Sequence, residues 1–314
     1  MKKLLIICGP TATGKTDLGL KLAKKFNGQL ISVDSRQVYK GMNIGTGKDL
    51  PKNVKQHQGG HYLVKGIKLW GYDLVNPDQE FSLAHFIKFV KPLIKKIYKQ
   101  NQLPIIVGGT GLYLKAITGK LDTTHIPPNQ PLRRKLGGLS IQELGGILRK
   151  VNSIRFDFMN HSDQQNSRRL IRAIEIAKSN HPQGLQGDSL KFILDQLWIG
   201  LKADKKILDI RIKKRVDQRL KAGAQKEVKK LIKAGYSFNL PSMSAMGYKQ
   251  WQLFFNKNHN IDQVRFAWNL AEKQYLRRQL TWFNKNKKIN WFDITTKDCY
   301  AKVVRKVTLW YTIN

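Results

Sequence analysis

The chain has 314 residues, 41% hydrophobic and 10% aromatic, which is enough for one large domain or two ordinary ones and excludes a globally disordered chain. Lys and Arg number 57 against 21 Asp and Glu, a net charge of +36, and an excess this large points to a polyanionic partner, most often nucleic acid. Two cysteines, Cys8 and Cys299, and no Cys or His cluster at metal-ligand spacing exclude a disulfide framework and a structural zinc site, and no window approaches the roughly 18 apolar residues of a membrane span, so a cytoplasmic protein is expected.

Taken in chain order, the apolar run Leu4–Cys8 before a glycine-rich loop predicts a buried strand. KTDLGLKLAKKF follows with helical spacing through Leu18, Leu22 and Phe26. GQLISVD predicts a second strand ending on Asp34, FSLAHFIKFVKPLIKKIYKQNQ a basic amphipathic helix, and LPIIVGGTGLYLKAI a third strand, a glycine turn and a helix. This alternation predicts an α/β fold: a P-loop NTPase-like parallel sheet covered by helices, with ligands gathered at the carboxyl ends of the strands. Those ends carry Gly9–Thr16, Asp34-Ser35 and Gly108-Gly109-Thr110. After the proline-rich connector DTTHIPPNQP the pattern turns helical to about Asn180, and LDQLWIGL at 194–201 reads as a return to the sheet. The expected organisation is a catalytic core of residues 1–120 and 186–314 with a helical insertion at 121–185. The stretch 204–285 reads as mostly helical, and INWFDI near 290 as a last strand.

GPTATGKT at 9–16 matches G-x-x-x-x-G-K-S/T at every fixed position. Its glycines let backbone N–H groups converge on phosphate oxygens, and the following helix adds its positive end. Lys15 supplies a point charge to the terminal phosphates, and the Thr16 hydroxyl can ligate Mg²⁺. The motif speaks for phosphate but is silent on what the phosphate carries. In the second loop, ISVDSRQVYKGMNIGTGK, Asp34 closes a strand at the ligand-bearing edge; it is a candidate general base, or else a strand-end carboxylate that caps the next helix.

GPTATGKT, DSRQVYKGMNIGTGK, VGGTGLYLKAI and RRQLTWF lie in this order along nearly the whole chain, and the combination resembles the tRNA dimethylallyltransferase (isopentenyltransferase) family, bacterial type. The resemblance implies transfer of a dimethylallyl group from dimethylallyl diphosphate to N6 of adenosine 37, 3′ of the anticodon, in tRNAs reading UNN codons. The partners it implies are the tRNA anticodon stem-loop and dimethylallyl diphosphate, with Mg²⁺ as cofactor and a monomer as the working unit. It makes Asp34, Thr110 and Lys15 the catalytic set. Gly9, Pro10, Thr11, Ala12, Thr13, Gly14, Lys15 and Thr16 become the diphosphate cradle, and Thr16 the metal ligand. Ser35, Arg36 and Gln37, with Asp34 and Thr110, become tRNA contacts.

Further residues follow from the same resemblance. In SRRLIRAIEI, Arg169 and Arg172 match family arginines expected at diphosphate or tRNA, while Arg168 replaces a glutamine and Asn166 an upstream aspartate; a solvated basic face is the alternative. Arg133 aligns with an arginine of the insertion, and Arg133 and Arg168 are expected with Arg169 to contact tRNA. In SAMGYKQ, Gly247, Tyr248 and Lys249 agree with a tRNA-contacting segment, but Ser244 stands where an arginine is usual, and taken alone the segment reads as packing. Arg277, Arg278, Gln279 and Thr281 are expected on the tRNA side of the channel, with Trp282 as packing. Two other functions share the phosphate loop. A transferase acting on free adenine nucleotides would not need the +36 charge, and a small-molecule kinase leaves DSRQVYKGMNIGTGK and RRQLTWF unexplained.

Overall fold

The computed structural model describes residues 2–51, 54–118, 126–179, 195–256 and 259–312. The chain divides into two compact units, Met1–Ile117 with Leu190–Asn314, and Thr118–Ser189. The expected boundaries at 121 and 185, and the start of the proline-rich connector, lie outside the described residues.

In the larger unit the chain runs β1 (Lys3–Cys8), α1 (Lys15–Lys25), β2 (Gly28–Ser32), β3 (His61–Val64), β4 (Ile67–Trp70), α2 (Leu83–Lys99), β5 (Leu103–Val107) and α3 (Gly111–Ile117). The smaller unit supplies α4 (Gln130–Leu136), α5 (Ile141–Asp157), α6 (His161–Gln164) and α7 (Ser167–Ala177). The larger unit resumes with β6 (Asp195–Lys202), α8 (Lys205–Lys221), α9 (Ala224–Lys233), α10 (Gln252–Phe255), α11 (Ile261–Phe283), β7 (Ile289–Asp293) and α12 (Cys299–Thr312). Its sheet has the order β3-β4-β2-β5-β1-β6-β7, parallel throughout except that β3 runs antiparallel to β4.

The period of two along the central strands explains both faces of the sheet. Leu5, Ile7, Leu30, Ile105, Val107 and Ile199 point to one side, where Leu18 and Leu22 of α1, Phe26 at its C-terminal end, and Val303 and Val307 of α12 cover them. Leu4, Ile6, Ile31, Ile106 and Trp198 point to the other, against Phe86, Val90 and Ile94 of α2 and Tyr113 and Leu114 of α3. The β3–β4 hairpin was not expected from the sequence. Its two-residue turn is Lys65-Gly66, both with positive φ (52° and 78°), the geometry that joins two twisted strands. A third apolar cluster joins the second loop to α8, α9 and α11 through Val38, Tyr39, Leu208, Val228, Tyr248 and Trp268.

The smaller unit is helical in its described residues, around Leu136, Leu144, Leu148, Leu170 and Ile174. Ser140 and Glu143 form a capping box at the start of α5. The Gly145-Gly146 pair lies inside α5, and Phe156 packs 3.2 Å from where a Cβ on Gly145 would stand, so the missing side chain is filled by a ring. Among the described residues, no helix of the chain is long and apolar enough to cross a membrane.

Candidate active site

Three loops leave the carboxyl ends of β1, β2 and β5 and meet in a cleft of about 940 Å³, all within the larger unit. This is where a parallel sheet gathers ligands. Gly9 opens the first loop at φ 132°, and a Cβ there would stand 2.4 Å from the carbonyl oxygen of Leu201, so only glycine fits between β1 and β6. Gly14 caps α1 with no side-chain bond, and Leu18 N is the helix amide that turns back to Gly14 O. The N-terminal end of α1 therefore faces the cleft without a capping side chain, as an anion site requires. Thr13 Oγ1 and Lys15 Nζ both donate to Pro10 O, at 2.9 and 2.7 Å, which holds the loop closed on itself. Burial, and then the neighbouring Arg215 guanidinium, lower the Lys15 ammonium to about 8.

Asp34 lies two residues beyond β2. Its Oδ1 accepts from Arg36 N at 2.7 Å and Gln37 N at 3.3 Å. Among the described residues Oδ2 has no hydrogen-bond partner, and Asp34 lines the cleft. No helix follows for Asp34 to cap; one oxygen holds the turn at Arg36 and Gln37, and the other is open to the cleft. Gln37 is turned inward. Its Oε1 accepts from Ser32 Oγ, and its Nε2 donates to Thr46 O and Gly47 O at 3.3 and 2.9 Å. Arg36 reaches Pro241 O and Ser244 Oγ at 2.5 and 3.1 Å, so the serine at the usual arginine position receives a guanidinium from the second loop.

Gln279 of α11 ties the first and third loops together. Its Oε1 accepts from Thr11 N at 2.8 Å and its Nε2 donates to Gly109 O at 3.1 Å. A Cβ on Gly109 would stand 2.0 Å from that nitrogen, so the close approach depends on glycine. The Tyr275 hydroxyl donates to Gly109 O at 3.5 Å, and burial followed by the charge of Asp34 raises its pKa. Thr110 follows Gly109 but does not itself line the cleft; its carbonyl accepts from Tyr113 N and Leu114 N at 3.0 and 3.2 Å at the start of α3.

The side of the cleft that sequence reasoning missed is α8. Arg211, Lys214, Arg215 and Arg219 recur at helical spacing and line it. Arg215 donates to Thr11 Oγ1 at 3.1 Å and to Asp49 Oδ2 at 3.0 Å, bridging the first and second loops. Arg219 is buried and paired with buried Glu272 of α11 at 3.1 Å. The available signal was the run KKRVDQR, which in isolation looks like any solvated basic face.

A family model described as IPP transferase matches residues 37–286, and one described as isopentenyl transferase matches residues 2–67. The chain belongs to the IPP transferase family. A tRNA dimethylallyltransferase of Carboxydothermus hydrogenoformans is 35% identical, covering 100% of this chain and 98% of the relative. One from Pediococcus pentosaceus is also 35% identical over the same shares. The crystal structure of the full-length tRNA isopentenylpyrophosphate transferase from Bacillus halodurans superposes with a TM-score of 0.70 at 31% identity, covering 99% of this chain and 97% of that one. A eukaryotic dimethylallyltransferase structure shares the fold at a TM-score of 0.78 and 22% identity, covering 98% of this chain and 78% of its own.

Within this member of the IPP transferase family, several expected contacts are placed differently from what the motifs suggested. Tyr248 is fully buried and donates to Glu227 Oε1 at 2.5 Å, and Gly247, at φ 85°, packs against Gly45. Both are buried scaffold positions: the Tyr248 hydroxyl is taken by Glu227, and Gly247 has no side chain to offer a partner. Lys249, Arg277, Arg278 and Thr281 are exposed. Arg278 lines the cleft, its guanidinium 5.8 Å from the Tyr275 ring. Thr281 Oγ1 donates to Arg277 O at 3.0 Å, a back-bond inside α11. In the smaller unit Arg168 is exposed, Arg169 pairs with Asp163, and Arg133 and Arg172 both hold the buried carboxylate of Glu175. Those last two guanidinium groups build the helical unit from within and are not displayed as a free anion site. Ser35 lines the cleft beside Asp34.

Proposed function

We propose that this enzyme transfers a dimethylallyl group from dimethylallyl diphosphate to N6 of adenosine 37 in tRNAs reading UNN codons. It would act as a monomer in the cytoplasm. The observation that carries the reading is a convergence in one cleft: a phosphate loop, the α8 cations, and a strand-end carboxylate with one oxygen open to a ligand.

The chemistry follows from that arrangement. The allylic C–O bond breaks with its electron pair going to the diphosphate, and the N6 lone pair forms the new C–N bond. Charge grows on the diphosphate as the bond breaks, so fixed donors aimed at it favour the transition state over the ground state. Lys15, Arg215 and the amides at the start of α1 are those donors. Adenine N6 is a weak nucleophile because its lone pair is delocalised. Asp34 Oδ2 takes the N6 proton as the C–N bond forms, while Arg36 N and Gln37 N hold Oδ1 in place. The adenine leaves its stack to reach the cleft, at a cost of about a few kcal/mol. Phosphate contacts from the +36 chain offset that cost.

Magnesium fits the site only together with the donor. Among the described residues no group of three His, Cys, Asp or Glu side chains could hold a metal alone. Mg²⁺ keeps most of its oxygen ligands from water and phosphate, so the Thr16 hydroxyl on the cleft wall is sufficient as the protein's share. Bound there, it would neutralise part of the charge on the departing diphosphate.

One assay tests the reading. The protein is incubated with dimethylallyl diphosphate, Mg²⁺ and unmodified tRNA, and the digested nucleosides are weighed. A prenylated adenosine formed only from tRNA is expected. Prenylated free AMP would move the substrate to nucleotides, and phosphate transfer from labelled ATP without prenyl transfer would refute the proposal.

A further inference from the structure

We infer that Glu227 is a positioning residue for the reaction, setting the orientation of the Asp34 carboxylate through Gln37; this rests on the proposed role of Asp34 as the base. Glu227 sits in the first turn of α9, outside the cleft. Its two oxygens accept from three successive backbone amides of the second loop: Asn43 at 3.0 Å, Ile44 at 2.9 and 3.0 Å, and Gly45 at 3.1 Å. The Tyr248 hydroxyl is the fourth donor. A carboxylate accepts at every lone pair and donates at none, so it matches a nest of four donors as no neutral side chain does.

The bonds continue from this anchor to Asp34. The amides that Glu227 holds lead directly into Thr46 and Gly47, whose carbonyls accept from Gln37 Nε2. The amide plane of Gln37 is fixed at its other end by Ser32 Oγ. The backbone N–H of the same Gln37 donates to Asp34 Oδ1. A side chain on α9 is thereby linked to the reacting carboxylate by hydrogen bonds and one short stretch of loop. If the loop amides lose their acceptor, Thr46 and Gly47 are free to move, Gln37 follows, and the oxygen that Asp34 presents to the adenine amino group rotates. Glu227 touches neither substrate, so its removal is read in the rate of chemistry and not in binding.

The test is a double-mutant cycle on the full-length protein. Glu227→Gln keeps the size of the side chain but offers one acceptor oxygen and turns an NH₂ group toward the loop amides. The single-turnover rate of prenyl transfer is expected to fall at least about 10-fold, the scale on which misplacing a reacting group costs rate. The Kd values for tRNA and for dimethylallyl diphosphate are expected to stay within about three-fold. In an Asp34→Asn background the same substitution is expected to slow the residual rate by less than about two-fold, because the group it orients is already gone. Glu227→Asp keeps the charge but draws the acceptor oxygens back from the loop amides by one methylene. It is expected to repeat the pattern, and it decides between the outcomes if Glu227→Gln does not fold by circular dichroism. Rate losses that multiply in the Asp34→Asn background, or Kd values that rise as much as the rate falls, overturn the positioning role while leaving Asp34 as the base. An Asp34→Asn variant with an undiminished rate overturns the role of Asp34 first, and this inference with it.

Discussion

Raising the pH across the range where Lys15 loses its proton tests whether this ammonium holds the donor. In the free protein its pKa is lowered to about 8, by burial first and by Arg215 second. A bound diphosphate brings several negative charges to the same nitrogen and restores the charged form, so the donor complex holds a proton that the free protein has released. The sign follows by linkage: where the complex binds more protons than the free protein, affinity falls as pH rises. Below pH 7 the effect is small, because the free ammonium is already charged. At pH 9 only about one molecule in eleven carries the charge, and donor affinity drops about 10-fold, or about 1.4 kcal/mol. The diphosphate does not confound the range, since the last ionisation of such a group lies near 6. Calorimetric titration of dimethylallyl diphosphate at pH 7, 8 and 9, in two buffers of different ionisation enthalpy, measures the affinity and the proton taken up. A Kd that stays level to pH 9, or binding with no proton uptake, refutes the reasoning. Lys15→Arg keeps its charge at every pH in the range and is expected to bind with a flat profile.

Removing Arg215 with Arg215→Ala should weaken donor binding by about 1.5–3 kcal/mol, the worth of a charged hydrogen bond, measured by the same titration. Gly9→Ala should abolish measurable donor binding or soluble expression, since its Cβ would stand 2.4 Å from Leu201 O at a φ of 132°; a variant of wild-type affinity would show that the first loop tolerates a side chain. Burial pushes the Glu175 carboxyl up, but the bonds from Arg133, Asn129 N and Arg172 outweigh it and leave it below its ordinary value. Its stabilising share is therefore present near neutral pH and lost as pH falls through the carboxylate range, and Glu175→Gln should cost about 1–2 kcal/mol in chemical denaturation at pH 7, toward the low end for a buried pair because Arg133 is a third exposed. tRNA affinity should fall about 10³-fold between 50 and 200 mM salt if some six phosphates are contacted, and a flat response in a filter-binding series would remove the electrostatic account of the +36 charge.

The parallel sheet was legible because its strands are buried on both faces and therefore stand in the sequence as short unbroken apolar runs. LLIIC, GQLIS, LPIIV and DQLWIGL each became a strand within a residue or two of the expected place. The β3–β4 hairpin was not legible. HYLV and IKLW are four residues each; HYLV is the edge strand, where no long apolar run is needed, and Lys68 interrupts the apolar residues of IKLW. Helix α12 was also missed. Its core-facing residues are few, Val303 and Val307, and the rest of CYAKVVRKVTLWYT is mixed in character.

The cleft divides along the same physical line. A phosphate loop is local: the turn, the glycines and the lysine are consecutive, so eight residues state the geometry by themselves. The cations of α8 are not local. Arg211, Lys214, Arg215 and Arg219 become an anion-binding wall only because α8 lies across the mouth of the sheet, and the sequence of α8 holds no trace of what faces it. The same reasoning applies to the arginines of the smaller unit. Arg133 and Arg172 look like anion ligands by type, and they are anion ligands, but the anion is Glu175, 42 and 3 residues away. A guanidinium satisfied by an internal carboxylate and one waiting for a diphosphate are the same residue in a sequence. The partner distinguishes them, and the partner is set by tertiary structure. In this chain acidic residues are few, 21 against 57 basic ones, so each buried carboxylate marks a place where the fold itself has claimed a cation or a set of amides. Asp73, Glu175 and Glu272 do this on Lys48, on Arg133 and Arg172, and on Arg219, half-buried Glu227 does it on a set of amides, and Asp34, with one oxygen used by its own loop and the other open to the cleft, is the carboxylate that the fold claims only by half.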